Sequence, residues 1–162
     1  MSFPFVRRIM GLVVLTLCAA TASAQLPNPY GAPINSDAAK KIAAAALAET
    51  RKNGWTMAVA IVDPAGELVY FERVEGTQAA SNGIAIGKAR TSARFKRPTK
   101  AMQDQLAAGG EGLRLLGLRE AVPVEGGVPL LVDGKIVGAI GMSGGTSAQD
   151  GQCANVGAAT LK

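Results

Sequence analysis

The side chains that could do chemistry in this chain are few, and one absence bounds them. There is no histidine among the 162 residues. That removes the usual general base near neutral pH, the commonest metal ligand and every Ser-His or Cys-His nucleophile arrangement. Asp150 is the best-placed carboxylate, in the expected first turn of a C-terminal helix, where dipole stabilisation and capping explain it without catalysis. Glu72 and Glu75 share the ExxE spacing that holds a hard cation on a helix. They fall at a strand end, however, where residues three apart face opposite sides, so a solvated edge is the better reading. Cys153, with nothing to activate it, reads as a small buried residue.

The densest basic region is Lys88, Arg90, Arg94, Lys96, Arg97 and Lys100. Two readings fit it: a solvated helix face, or, beside Ile84 and Phe95, a seat for a flat apolar ligand bearing carboxylates. "GIAIGKA" at 83–89 fails as a phosphate loop. Its spacing is one residue short, Ala89 stands where a hydroxyl should hold magnesium, and no strand precedes it. "GAIGMSGG" at 138–145 likewise lacks the dinucleotide fingerprint.

The elements that must carry these residues are legible from periodicity. Asn35 or Ser36 caps a helix over 36–52, with Ile42, Ala43, Ala46 and Leu47 on one stripe and Asn53-Gly54 ending it. "WTMAVAIVD", the turn "DPAG" and "ELVYFERV" predict a hairpin. Residues 78–95 have helical propensity, with Ile84, Lys88, Thr91 and Phe95 near one stripe; Pro98 then opens a short helix, "TKAMQDQL". "AAGGEGLRLLGLREAVP" reads as a glycine-punctuated connection. Strands 128–132 and 135–142 follow around Asp133-Gly134, a strong two-residue hairpin signal. A glycine turn at 143–146 leads into a last helix from 147 to about 161, capped by Thr146 or Ser147. Antiparallel hairpins with helices packed on them predict an α+β sandwich.

Arg7 and Arg8, the apolar run "IMGLVVLTLCAA" and Ala22-Ser23-Ala24 predict a secretory signal over 1–24 cleaved before Gln25, and hence a periplasmic or secreted protein. The run is short of the roughly 20 residues a membrane anchor needs. "QLPNPYGAP" then reads as an extended leader over 25–35, and 36–162 as a single domain. With 17 basic and 12 acidic residues the net charge is +5, and loss of Arg7 and Arg8 lowers it to +3. That mild charge and the 4% aromatic content argue against nucleic acid as a partner. Cys18 leaves with the signal, so Cys153 has no internal disulfide partner even in an oxidising compartment.

Three blocks, "AVAIVDPAGELVYFERVEG", "GKARTSARFKRPT" and "VEGGVPLLVDGKIVGAIGMSGGTSAQDGQCANVG", resemble the GlcG/HbpS family of haem-binding proteins, itself similar to the PduO C-terminal domain. The resemblance spans about 36–160. It implies a profilin-like fold, a five-stranded antiparallel sheet flanked by helices, assembly into homo-oligomers, and a small-molecule ligand: haem, or a corrinoid as the alternative. On that implication Lys88, Arg90 and Arg94 would pair ligand carboxylates and Thr91 would line the site. Ile84, Phe95 and the pairs Gly126-Gly127 and Gly144-Gly145 would face the macrocycle. Without histidine, the donors left for iron are Tyr70, Met57, Met102, Met142, Thr91, Lys88 and Cys153. The iron-binding carboxylate pair of the family has no match in "SNGIAIGKA". The competing class is an accessory protein or enzyme acting on a small organic acid or cofactor, against which stands the missing base.

Overall fold

The computed structural model describes residues 28–161, so the predicted signal lies outside the described residues. Helix α1, Ser36–Lys52, starts where Asn35 accepts the Ala38 amide on its side chain, and ends at Asn53 with Gly54 at φ +70°. Strands β1, Ala58–Val62, and β2, Leu68–Arg73, form the first hairpin, and helices α2, Ala80–Phe95, and α3, Thr99–Ala107, follow. β3, Gly127–Val132, and β4, Lys135–Ser143, turn at Asp133 and Gly134, which both have positive φ, the twist that a tight hairpin needs. Helix α4, Ser147–Ala158, opens on a capping box in which Thr146 and Gln149 satisfy each other's amides.

Among the described residues the sheet is antiparallel with order β2-β1-β4-β3, four strands where the resemblance implied five. Outside these strands a single parallel bridge joins Tyr30 to Ile136. Pro29 accepts the Ile136 amide and Gly31 donates to Ile136, so the leader does join the sheet. Pro29 and Pro33 have no amide hydrogen to extend that ladder. Tyr30 also donates its hydroxyl to the Ala93 carbonyl at 3.0 Å, and Lys96 lies 4.1 Å from its ring centre, so the leader is pinned to the end of α2.

Alternation along β1 sends its side chains to two different layers. Val59 and Ile61 meet Ile42, Ala46 and Leu47 of α1 and Cys153 and Ala154 of α4, which cover one face. Ala58, Ala60 and Val62 meet Ala85, Ala89 and Ala93 of α2 on the other. On β4, Gly138 pairs with Leu130 while Ile136 pairs with Leu131, so Val137 is an extra residue, and this bulge turns it toward the α1 and α4 layer.

The α2 layer is built from alanine and glycine, and so the helix lies very close to the sheet. A β-carbon on Gly141 would fall 2.6 Å from the Ala89 amide nitrogen, with the Ala85 carbonyl nearer still. Both obstacles are backbone and cannot rotate away. Gly141→Ala is therefore expected to destabilise the protein by about 2–3 kcal/mol. Gly83→Ala, exposed on α2 with open space around it, is expected to stabilise by about 0.5–1 kcal/mol. Chemical denaturation of the two variants checks both signs.

Candidate functional site

Lys88 points inward from α2 and is 1% exposed, although its helix carries a basic face. Its Nζ donates to Oδ2 of Asp150 at 2.7 Å. Asp150 belongs to α4, on the opposite side of the sheet, and is itself 2% exposed. The two helices reach each other past the start of β3. There Gly126, at φ +127°, leaves the space: a β-carbon would lie 2.9 Å from Lys88 Nζ and 2.9 Å from Asp150 Cβ. Gly127 is equally confined, against the Lys88 carbonyl and the Thr99 methyl, and its amide donates to Thr99 at 2.8 Å. Asp150 takes a further hydrogen bond on Oδ1 from the Gly145 amide at 3.1 Å. Burial pushes the Asp150 carboxyl above its ordinary range, opposed by Lys88 and by the amides of Gly145 and Gly144.

The other residues singled out in the sequence are also held by the fold. Arg90 Nε donates to the Gly66 carbonyl at 2.9 Å and Arg94 Nε to Ala65 at 2.9 Å, so two arginines one helical turn apart grip the β1-β2 turn. Arg94 also meets Glu120 at 3.0 Å. Thr91 donates to the Gly87 carbonyl and accepts the Val122 amide, which seals it beneath the chain leading to β3. Ile84 and Phe95 are half-buried. Gly144 and Gly145 pack on Met57. Of the donors considered for iron, Met57, Met102, Met142, Cys153, Lys88 and Thr91 are all buried. Tyr70 is partly exposed, with its hydroxyl bonded to Glu72 at 2.6 Å. Glu75 is exposed in the turn that follows, and no cluster of three carboxylates or thiols suited to a metal occurs among the described residues. Nor is any helix among them long and apolar enough to cross a membrane.

What sequence reasoning passed over lies in 105–118. The expected loop contains a 3-10 helix, Gly110–Gly117, none of whose residues is buried. Leu113 is 53% exposed and Leu116 69%, and Leu118 and Val124 are exposed beside them. Between this segment and α3 opens a cavity of about 390 Å³ lined by Gln105, Ala108, Gly109, Glu111, Gly112 and Leu115. That volume falls in the range of small-molecule sites. Arg114, paired with Glu111 at 2.6 Å but 80% exposed, stands on the same segment. The signal in the sequence was "LRLLGLR", four leucines without the polar spacing of a loop.

Residues 34–159 match the family model described as "Haem degrading protein HbpS-like". The chain belongs to the HbpS-like family. Protein GlcG of Escherichia coli strain K12 is 37% identical over 105 residues, 65% of this chain and 77% of that protein. The crystal structure of HbpS superposes with a TM-score of 0.75 at 30% identity, covering 82% of this chain and 92% of that one. A PduOC complex with haem superposes at 0.73 and 25% identity, covering 80% of this chain and 96% of the other.

Two outcomes follow from these environments. Lys88→Met would leave the Asp150 carboxylate buried without its cation, and is expected to cost about 3–5 kcal/mol of unfolding free energy, read by chemical denaturation. Burial also pushes the Cys153 thiol up, with Glu49 and Asp150 adding to the shift against the Thr50 hydrogen bond. Alkylation of Cys153 followed by peptide mapping is expected to run at least about tenfold slower in the folded chain than in denaturant, because little thiolate forms and it is enclosed.

Proposed function

We propose that this protein binds haem, through apolar contact and carboxylate pairing rather than through a strong axial ligand. The observation that carries the reading is the haem complex of PduOC, whose fold this chain shares over most of its length. No relative considered above points to a corrinoid. The 3-10 segment and the cavity beside it suit the ligand's flat apolar body: Leu115 lines the cavity, Leu113 and Leu116 stand exposed on the same segment, and Arg114 and Arg119 are exposed along it as candidates for the propionates. The Arg114-Glu111 pair is on the surface, where such pairs contribute little, so exchanging one carboxylate for another costs little.

The helix α2 region is the rival position for the same ligand. Arg94 and Phe95 retain exposure there, while Lys88, Gly126 and Gly127 are occupied with one another. We also propose export with cleavage before Gln25, which N-terminal sequencing of the protein recovered from the periplasm or medium tests. Assembly into homo-oligomers is tested by sedimentation with and without haemin.

Titration with haemin, followed by the Soret band against an unrelated basic protein, is expected to give saturable stoichiometric binding. Leu116→Asp is expected to weaken it by about tenfold or more, in line with the cost of placing a charge against an apolar ligand. Loss of binding in Arg94→Glu with Leu116→Asp unaffected would move the site to α2. An unsaturable response equal to the control would retire haem.

A further inference from the structure

Lys88 and Asp150 hold an amine and a carboxyl group against each other inside the fold. Nζ lies 2.7 Å from Oδ2, one bond away from the carboxyl carbon, and the two side chains are 1% and 3% exposed, so the pair is shut away from water. Fixed geometry of this kind replaces the entropy cost that makes such a reaction slow between separate molecules. The Gly145 amide donates to Asp150 Oδ1 at 3.1 Å, on the oxygen that Lys88 does not occupy, as a backbone donor holds an acyl oxygen in an enzyme. Gly126 lets the two side chains approach, since any β-carbon there would fall 2.9 Å from Nζ.

We propose that Lys88 and Asp150 join in an intramolecular isopeptide bond that staples α2 to α4 through the sheet. A proton first passes from the Lys88 ammonium to the Asp150 carboxylate, leaving a neutral amine beside a neutral acid. Nζ then forms a bond to Cγ, and the negative charge that develops on Oδ1 rests on the Gly145 amide. The Cγ–Oδ2 bond breaks, its hydroxyl takes the second proton released by the amine, and one water leaves. Ammonium and carboxylate become amide and water, with no change of oxidation state and no co-reactant. Burial favours the neutral partners, because a charged pair out of water bears a desolvation penalty that an amide does not. The same burial raises the Asp150 carboxyl toward the protonated form that the step consumes.

Mass spectrometry of the purified chain tests this. The intact protein is expected to be lighter by one water than its sequence, counted from its determined N-terminus. Tryptic digestion is expected to yield a branched peptide joining residues 74–90 to 136–162, because an acylated Lys88 is no longer cleaved. Lys88→Arg, which keeps the charge and cannot acylate in this way, is expected to have its full mass. Should that variant fail to fold, the peptide map of the unaltered protein decides alone. A full-mass protein with free cleavage after Lys88 overturns the proposal. So does water loss confined to linear 136–162, since Asp150 precedes Gly151 and an Asp-Gly succinimide has the same mass.

Discussion

One contact, Lys88 with Asp150, joins the helices on the two sides of the sheet. α2 and α4 lie on opposite faces and share no layer, and their other bonds run to their own side of the sheet or to its loops. The α2 stripe is thin: Ala85, Ala89 and Ala93 bury few carbons each. What they permit instead is close approach, and close approach is what brings a lysine side chain past the sheet to α4. The start of β3 is shaped by the same requirement. Gly126 gives up its side chain to Lys88 and Asp150, Gly127 gives up its own to the α2 backbone, and the Gly126 carbonyl accepts the Met142 amide to begin pairing with β4.

A buried ion pair of this kind is weak evidence for stability by itself, because desolvation offsets most of the attraction. Its value here is in specification. Many registers of α2 could bury alanine against β1 and β4, since alanines are nearly interchangeable. One register places Nζ at the Asp150 carboxylate and Gly87 beneath Val122. The arginines repeat this logic at the other end of the helix, where Arg90 and Arg94 take the carbonyls of Gly66 and Ala65 that no strand partner reaches.

Where local rules decide, the sequence was readable. The bounds of α1 follow from Asn35, an aliphatic stripe and Asn53-Gly54, and the second hairpin from Asp133-Gly134, because caps and tight turns depend on a few adjacent residues. The glycines at 126, 127, 144 and 145 were expected to face a macrocycle, but side chains and backbone from other elements fill the space against them. Periodicity put Lys88 on a stripe with Ile84 and Phe95 and so suggested a shared ligand-facing surface. Burial of a lysine depends on a carboxylate 62 residues away, and nothing local announces that partner. The count of five strands came from the resemblance and not from the pattern of residues, and the described residues form four, with the proline-bearing leader joined to β4 by one bridge.

For the proposed ligand, the division between committed and uncommitted residues favours one part of this fold over another. Side chains that specify the register of α2 cannot also rearrange around a ligand without releasing a helix, so Lys88, Thr91 and the paired glycines make a poor adaptable surface. The segment after α3 has the opposite character. Its 3-10 helix buries no side chain, holds to the body through its contact with α3, and leaves leucines in water at a hydrophobic cost of about 25 cal/mol per Å². A covering group recovers that cost at once, whether macrocycle or neighbouring chain. The proposed haem would recover it without requiring the segment to match another protein's shape, and the arginines among the leucines would supply the cations that its propionates need.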